Sequence, residues 1–126
     1  MSTLKVTNIQ ATGETASRAV SGIAAAWVNL TQVSTQTIRD SAGVSSLTDL
    51  GTGQTRISFA SSMNNDDFAG SFYTMAAAGE NYSNFANDYA GGFGDKAAAS
   101  VQVYSHNGTS AADSGIVDVI IMGDLT

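Results

Sequence analysis

Residues Val44 to Phe59, VSSLTDLGTGQTRISF, set two β-compatible runs on either side of the compact string Gly51-Thr52-Gly53. Glycine supplies the positive φ angles that a tight reversal demands, so the segment reads as strand, turn and strand. The chain contains no proline, and its turns must be written in Gly, Asn and Asp. A hairpin of this kind organises antiparallel β domains, and no recognisable catalytic constellation surrounds it.

Strand-like runs continue on both sides of the hairpin, at Trp27–Val33, Gln36–Asp40, Val44–Leu50, Gln54–Ala60, Phe68–Ala76, Ala98–Ser105 and Ile116–Met122. Alternation is clearest where Ile57 and Phe59 oppose Arg56 and Ser58, and where Val101 and Val103 oppose Gln102 and Tyr104. The run Ile116-Val117-Asp118-Val119-Ile120-Ile121-Met122 is apolar on both parities except at Asp118, the mark of a strand covered on both faces. A central strand or a subunit interface would cover it so. Seven short strands in 126 residues predict an all-β fold, an antiparallel and jelly-roll-like β-sandwich over residues 27–126.

Residues 1–26 read as an N-terminal arm for attachment and oligomerisation. Within it, Thr3–Gln10 is extended in character, with Leu4 and Val6 alternating against Lys5 and Thr7. Val20, Ile23, Ala24 and Trp27 fall at i, i+3, i+4 and i+7, which suits a short helix over Glu14–Ala26. Gly22, the many small residues and the missing caps suit an extended linker packed on another chain equally well. A second ambiguous stretch, Gly79–Lys96, carries Tyr82, Phe85, Tyr89 and Phe93. Their spacing fits one face of a short helix, and the length without strand signals fits an exposed recognition loop.

Composition narrows the function classes. Five basic residues stand singly along the chain against eleven acidic ones, so no basic stripe exists to displace counterions from nucleic acid. No run approaches the roughly 20 apolar residues of a membrane-spanning helix, and membrane insertion is not expected. With no cysteine there is neither a disulfide framework nor a thiolate metal site. The charged fraction is 13%, which leaves a polar surface made chiefly of hydroxyl and amide groups.

Residue by residue, the candidate chemistry reads as structural. His106 is the single histidine and precedes Asn107-Gly108, a turn signal. Asp66 and Asp67 follow Asn64-Asn65 at a turn entrance, whereas glycosidase chemistry needs two carboxyl groups facing one bond. Asp113, Asp118 and Asp124 lack the alternate spacing of a calcium loop, and Gly91-Gly92-Phe93-Gly94 lacks the Lys-Ser/Thr ending of a phosphate loop. Arg39 and Asp40 suit a register-fixing cross-strand pair with Asp49 or Arg56. No catalytic residue, metal ligand or cofactor is expected.

Thr3-Leu4-Lys5-Val6-Thr7-Asn8-Ile9-Gln10, the following Ala11 to Gly22 and then Trp27-Val28-Asn29-Leu30 resemble the opening of small tail-fibre and appendage proteins of tailed bacteriophages. Ile38-Arg39-Asp40-Ser41, Val44 to Asp49, Gly51-Thr52-Gly53 and Ile57-Ser58-Phe59 resemble the β-rich body of the same proteins, and the likeness continues loosely through Ala97 to Gly123. The resemblance implies a non-enzymatic virion structural protein, a homotrimer, with an arm that contacts other virion proteins and a β domain that engages the host surface. On that view Leu4, Val6, Ile9, Val20, Ile23 and Trp27 serve oligomerisation and anchoring. Tyr73, Tyr82, Phe85, Tyr89 and Phe93 would contact the receptor, for which a host glycan is the candidate because aromatic faces stack on sugar rings. A capsid-decorating or connector protein with purely structural contacts is the alternative, and a polysaccharide-degrading spike is a third. No internal repeat of the kind that builds long fibre shafts is present, so a short appendage or a distal knob is implied.

Overall fold

The computed structural model describes residues 5–9, 18–19, 24–75, 92–106 and 110–126. Its strands are β1 (Asn8–Ile9), β2 (Arg18–Ala19), β3 (Ala24–Thr31), β4 (Thr37–Ala42), β5 (Val44–Gly51), β6 (Gln54–Phe59), β7 (Ala69–Met75), β8 (Gly92–Ala97), β9 (Ser100–Tyr104) and β10 (Ile116–Met122). Two four-stranded antiparallel sheets, ordered β4-β3-β10-β7 and β5-β6-β9-β8, form a β-sandwich. Among the described residues β1 and β2 pair only with each other, as a separate two-stranded sheet.

The period of two in the sequence builds the core. From the first sheet, Ala26, Val28 and Leu30 of β3 and Val117, Val119 and Ile121 of β10 point inward. From the second, Ile57 and Phe59 of β6 meet Val101 and Val103 of β9. Each fully buried aliphatic side chain of this kind contributes roughly 1.5–3 kcal/mol. Met63 and Phe68 close one end of the core, where the Phe59 and Phe68 rings meet edge to face with centroids 5.5 Å apart. Lys96 lies over the Phe68 ring at 4.6 Å and donates to the Phe68 carbonyl at 2.7 Å.

The other end of the core is polar. Gln32 is 1% exposed; its Oε1 accepts from the Ser105 hydroxyl (2.5 Å) and from Ser114 N (3.1 Å). Its Nε2 donates to Thr55 Oγ1 (3.0 Å), and the Thr55 hydroxyl in turn donates to Gln36 Oε1 (2.7 Å). Among the described residues no buried side-chain nitrogen or oxygen lacks a partner. The Gly51-Thr52-Gly53 turn joins β5 to β6 as the hairpin reading expects, and it is welded to this clasp: Ser105 N donates to Gly53 O (2.8 Å), and Gly53 N to Asp113 Oδ1 (2.7 Å).

Chain connection between the sheets needs one further device. β4 belongs to one sheet and β5 to the other, and Gly43 alone separates them. Its φ is +70°, and a Cβ there would run into the Ala25 carbonyl, so only glycine lets the chain turn this corner against β3.

Three expectations are corrected. A helix over Glu14–Ala26 is excluded where that stretch is described, because Arg18–Ala19 and Ala24–Ala26 are strand; small residues and Gly22 leave little helical preference to oppose β pairing. The last part of Gly79–Lys96 is neither helix nor loop, since Gly92–Ala97 forms β8 against β9. Arg39 and Asp40 pair with neither Asp49 nor Arg56: Arg39 donates to the Gly115 carbonyl (2.9 Å), Asp40 accepts from Ser41 N (2.9 Å), and Arg56 pairs with Asp95 (3.3 Å). The turn entrance at Asn64–Asp67 is present, with Asp67 N donating to Asn65 Oδ1 (3.0 Å).

Gly53 has a φ of +68°, and a Cβ there would meet Ser105 O and Ala112 N. Gly53→Ala is expected to lower the unfolding free energy by more than about 2 kcal/mol, since the left-handed conformation alone costs an L residue roughly 1–2 kcal/mol. Urea denaturation followed by far-UV circular dichroism measures it as a lowered midpoint.

Candidate functional site

Strands with one face in the core usually turn a polar face to water, and β6 and β9 do so with Gln54, Arg56 and Ser58 beside Tyr104 and Ser100. The first sheet departs from that pattern. Its outward side chains form rows across the strands, set by the registers of β4, β3, β10 and β7. One row is Ala42, Trp27, Ile120 and Ser71; the next toward the chain ends is Ala24, Met122 and Ala69. Trp27 is 38% exposed, Ile120 47% and Met122 44%. At the far end Ile116 pairs with Met75, both half-buried.

A polar row crosses the middle of this apolar face. Asp40, Asn29, Asp118 and Tyr73 occupy matching positions on the four strands. Asn29 Nδ2 donates to Asp118 Oδ1 at 2.5 Å, a short contact of the charge-assisted kind. Among the described residues neither Asp40 nor Asp118 meets a basic side chain; the ion pair present joins Arg56 to Asp95 on the other sheet. Between this row and the Trp27–Ile120 row lies a hollow of about 330 Å³, lined by Ala24, Trp27, Asn29, Asp118 and Ile120. Large apolar side chains thus gather on one exposed face of this sheet, with the Asn29–Asp118 pair fixed among them.

Of the residues expected to oligomerise or anchor, Trp27 stands on this face and Val6 is 44% exposed in the arm. Ile9 pairs with Arg18 between β1 and β2, while Leu4, Val20 and Ile23 lie outside the described residues. Of the aromatic residues expected to contact a receptor, Tyr73 is half-buried on β7 opposite Asp118. Phe93 is corrected from loop to strand: it sits in β8 and packs against Phe72, ring centroids 6.1 Å apart, beside the core. Tyr82, Phe85 and Tyr89 lie outside the described residues. Tyr73 and Phe93 thus lie on strands of different sheets. Ile120, Met122, Asn29 and Asp118 join the site unannounced, although the double-parity apolar run had marked β10 for cover on both faces.

His106 is exposed and bridges to Ala111. No helix among the described residues is long and apolar enough to cross a membrane. No protein-family model, curated protein or solved structure matches the chain.

The two sides of β10 are separable by experiment. Ile121 is 1% exposed and Ile120 47%. In a single copy Ile121→Thr is expected to cost about 2–4 kcal/mol through cavity formation and a buried hydroxyl. Ile120→Thr is expected to change stability by about 0.5 kcal/mol or less. Thermal and urea unfolding of the dilute protein give both values.

Proposed function

We propose that this chain is a non-enzymatic structural module of a bacteriophage appendage, that it works as a homo-oligomer in the virion, and that the outer face of the β4-β3-β10-β7 sheet is buried between copies. The observation that carries this reading is the apolar row of Trp27 and Ile120 with Met122 beside it, on a sheet face that no described element covers. Burying such side chains removes apolar surface from water in every copy at once, which is how closed symmetric assemblies gain stability. The polar row has a part in this too. An Asn29–Asp118 pair enclosed in an apolar contact penalises packings that leave it unsatisfied, and so favours one orientation of the copies. The resemblance to phage appendage proteins supplies the setting and the preference for a trimer.

Trp27 is the only tryptophan in the chain, so its emission reports on the face directly. Sedimentation velocity over a concentration series is expected to show a monomer giving way to one larger species, with Trp27 emission moving to shorter wavelength in step. Ile120→Asp should abolish both changes. A chain that stays monomeric at every concentration removes the reading.

Attachment to a host surface falls, in this proposal, to surfaces that assembly leaves in solvent, with the aromatic-rich sequence between β7 and β8 as the contact. Tyr82→Ala with Tyr89→Ala is expected to reduce adsorption of the purified protein to host cells at least tenfold without changing its sedimentation. Undiminished adsorption would favour the decorating or connector role instead.

A further inference from the structure

We infer that the occupant of the outer face of the β4-β3-β10-β7 sheet is the N-terminal arm of a second copy of this chain, with Lys5 and Val6 of the arm meeting the Asp118 and Ile120 rows. The inference rests on the self-association proposed above and names the segment that performs it.

Charge is the first argument. Residues 1–23 carry Lys5 and Arg18 against Glu14, net +1; residues 24–126 carry three basic and ten acidic residues, net −7, which together make the formal −6. Within the acidic body Arg39 is engaged by the Gly115 carbonyl, Arg56 by Asp95 and Lys96 by Phe68. Among the described residues, the basic side chain left to answer Asp40 and Asp118 is that of Lys5 in the arm. Complementary charge of this sort guides an approaching chain and rejects mismatched packings more than it adds affinity.

Apolar content is the second argument, and it matches the face. The arm sequence offers Leu4, Val6, Ile9, Val20 and Ile23. Among the described residues β1 and β2 pair with each other alone, and a two-stranded sheet in water is marginal unless it packs on something. The face in turn offers Trp27, Ile120 and Met122 beside a hollow that begins at Ala24, the first residue of β3.

Both halves of the contact are open within one copy, which points to exchange between copies. Val6 is 44% exposed while Trp27, Ile120 and Met122 are 38%, 47% and 44% exposed. The described part of the arm thus leaves the face of its own chain uncovered. Arms traded around a closed ring would cover every face without leaving one unpaired.

The chain has no cysteine, so introduced thiols are its only sites for maleimide cross-linking. Val6→Cys and Ile120→Cys chains bearing different affinity tags are co-expressed, purified through both tags and treated with a short bismaleimide. A covalent species containing both tags is expected, and Lys5→Glu with Val6→Asp in the full chain should weaken association at least tenfold. An assembled protein that gives no such species, or one that links only within a chain carrying both cysteines, overturns the arm assignment while self-association stands. A chain that never assembles overturns both.

Discussion

Gln32 holds the two sheets in register at one end of the sandwich. It leaves the end of β3 in the first sheet and spends its amide on Thr55 of the second, on Ser105 at the end of β9 and on the backbone of Ser114 before β10. Apolar contact between sheets is nondirectional and tolerates sliding, whereas an amide with its acceptor and donor both engaged tolerates little. Because Thr55 relays to Gln36 and Gln36 Nε2 to the Gln54 carbonyl (3.1 Å), the clasp also sets where the β3–β4 and β5–β6 turns lie. Loss of one member strands the others in a buried place, a penalty of about 1–3 kcal/mol for each unpaired group.

Strands whose side chains alternate cleanly were legible in the sequence. β6 and β9 show inward Ile57, Phe59, Val101 and Val103 with polar residues between, and their bounds fall within a few residues of those expected. β8 was not legible, for physical reasons. Gly92, Gly94, Asp95 and Lys96 have little strand preference, the strand lies at a sheet edge, and a bulge between Phe93 and Lys96 breaks the alternation. Tertiary pairing with β9 imposes the extended form that local chemistry does not. Trp27 carried two signals: its spacing from Val20 and Ile23 imitates a helix face, but it also opens the strand-like run Trp27–Val33, and pairing with Ala42 and Ile120 makes it part of a strand as that run expects.

The site was half legible. An apolar run on both parities announced that β10 needs cover on two sides, and the core supplies one of them. Which side chains share the other face depends on the registers Trp27 to Ile120 and Asn29 to Asp118, and these join residues some 90 positions apart. No local pattern encodes such a pairing. The aromatic spacing in Gly79–Lys96 suggested a helix face or a loop for Phe93, which instead lies in β8 and packs on Phe72.

The central position of β3 and β10 has a mechanical side. They run antiparallel with Ala24 across from Met122, so the chain enters and leaves the body at the same end, about 26 Å along the strands from the clasp. Tension applied between those two points would peel the β3–β10 ladder apart one bond at a time. Tension applied between that end and the Gly53 hairpin runs parallel to the strands and loads the ladders together. A body held where β3 begins and β10 ends, and pulled at its clasp, is loaded along its strong axis.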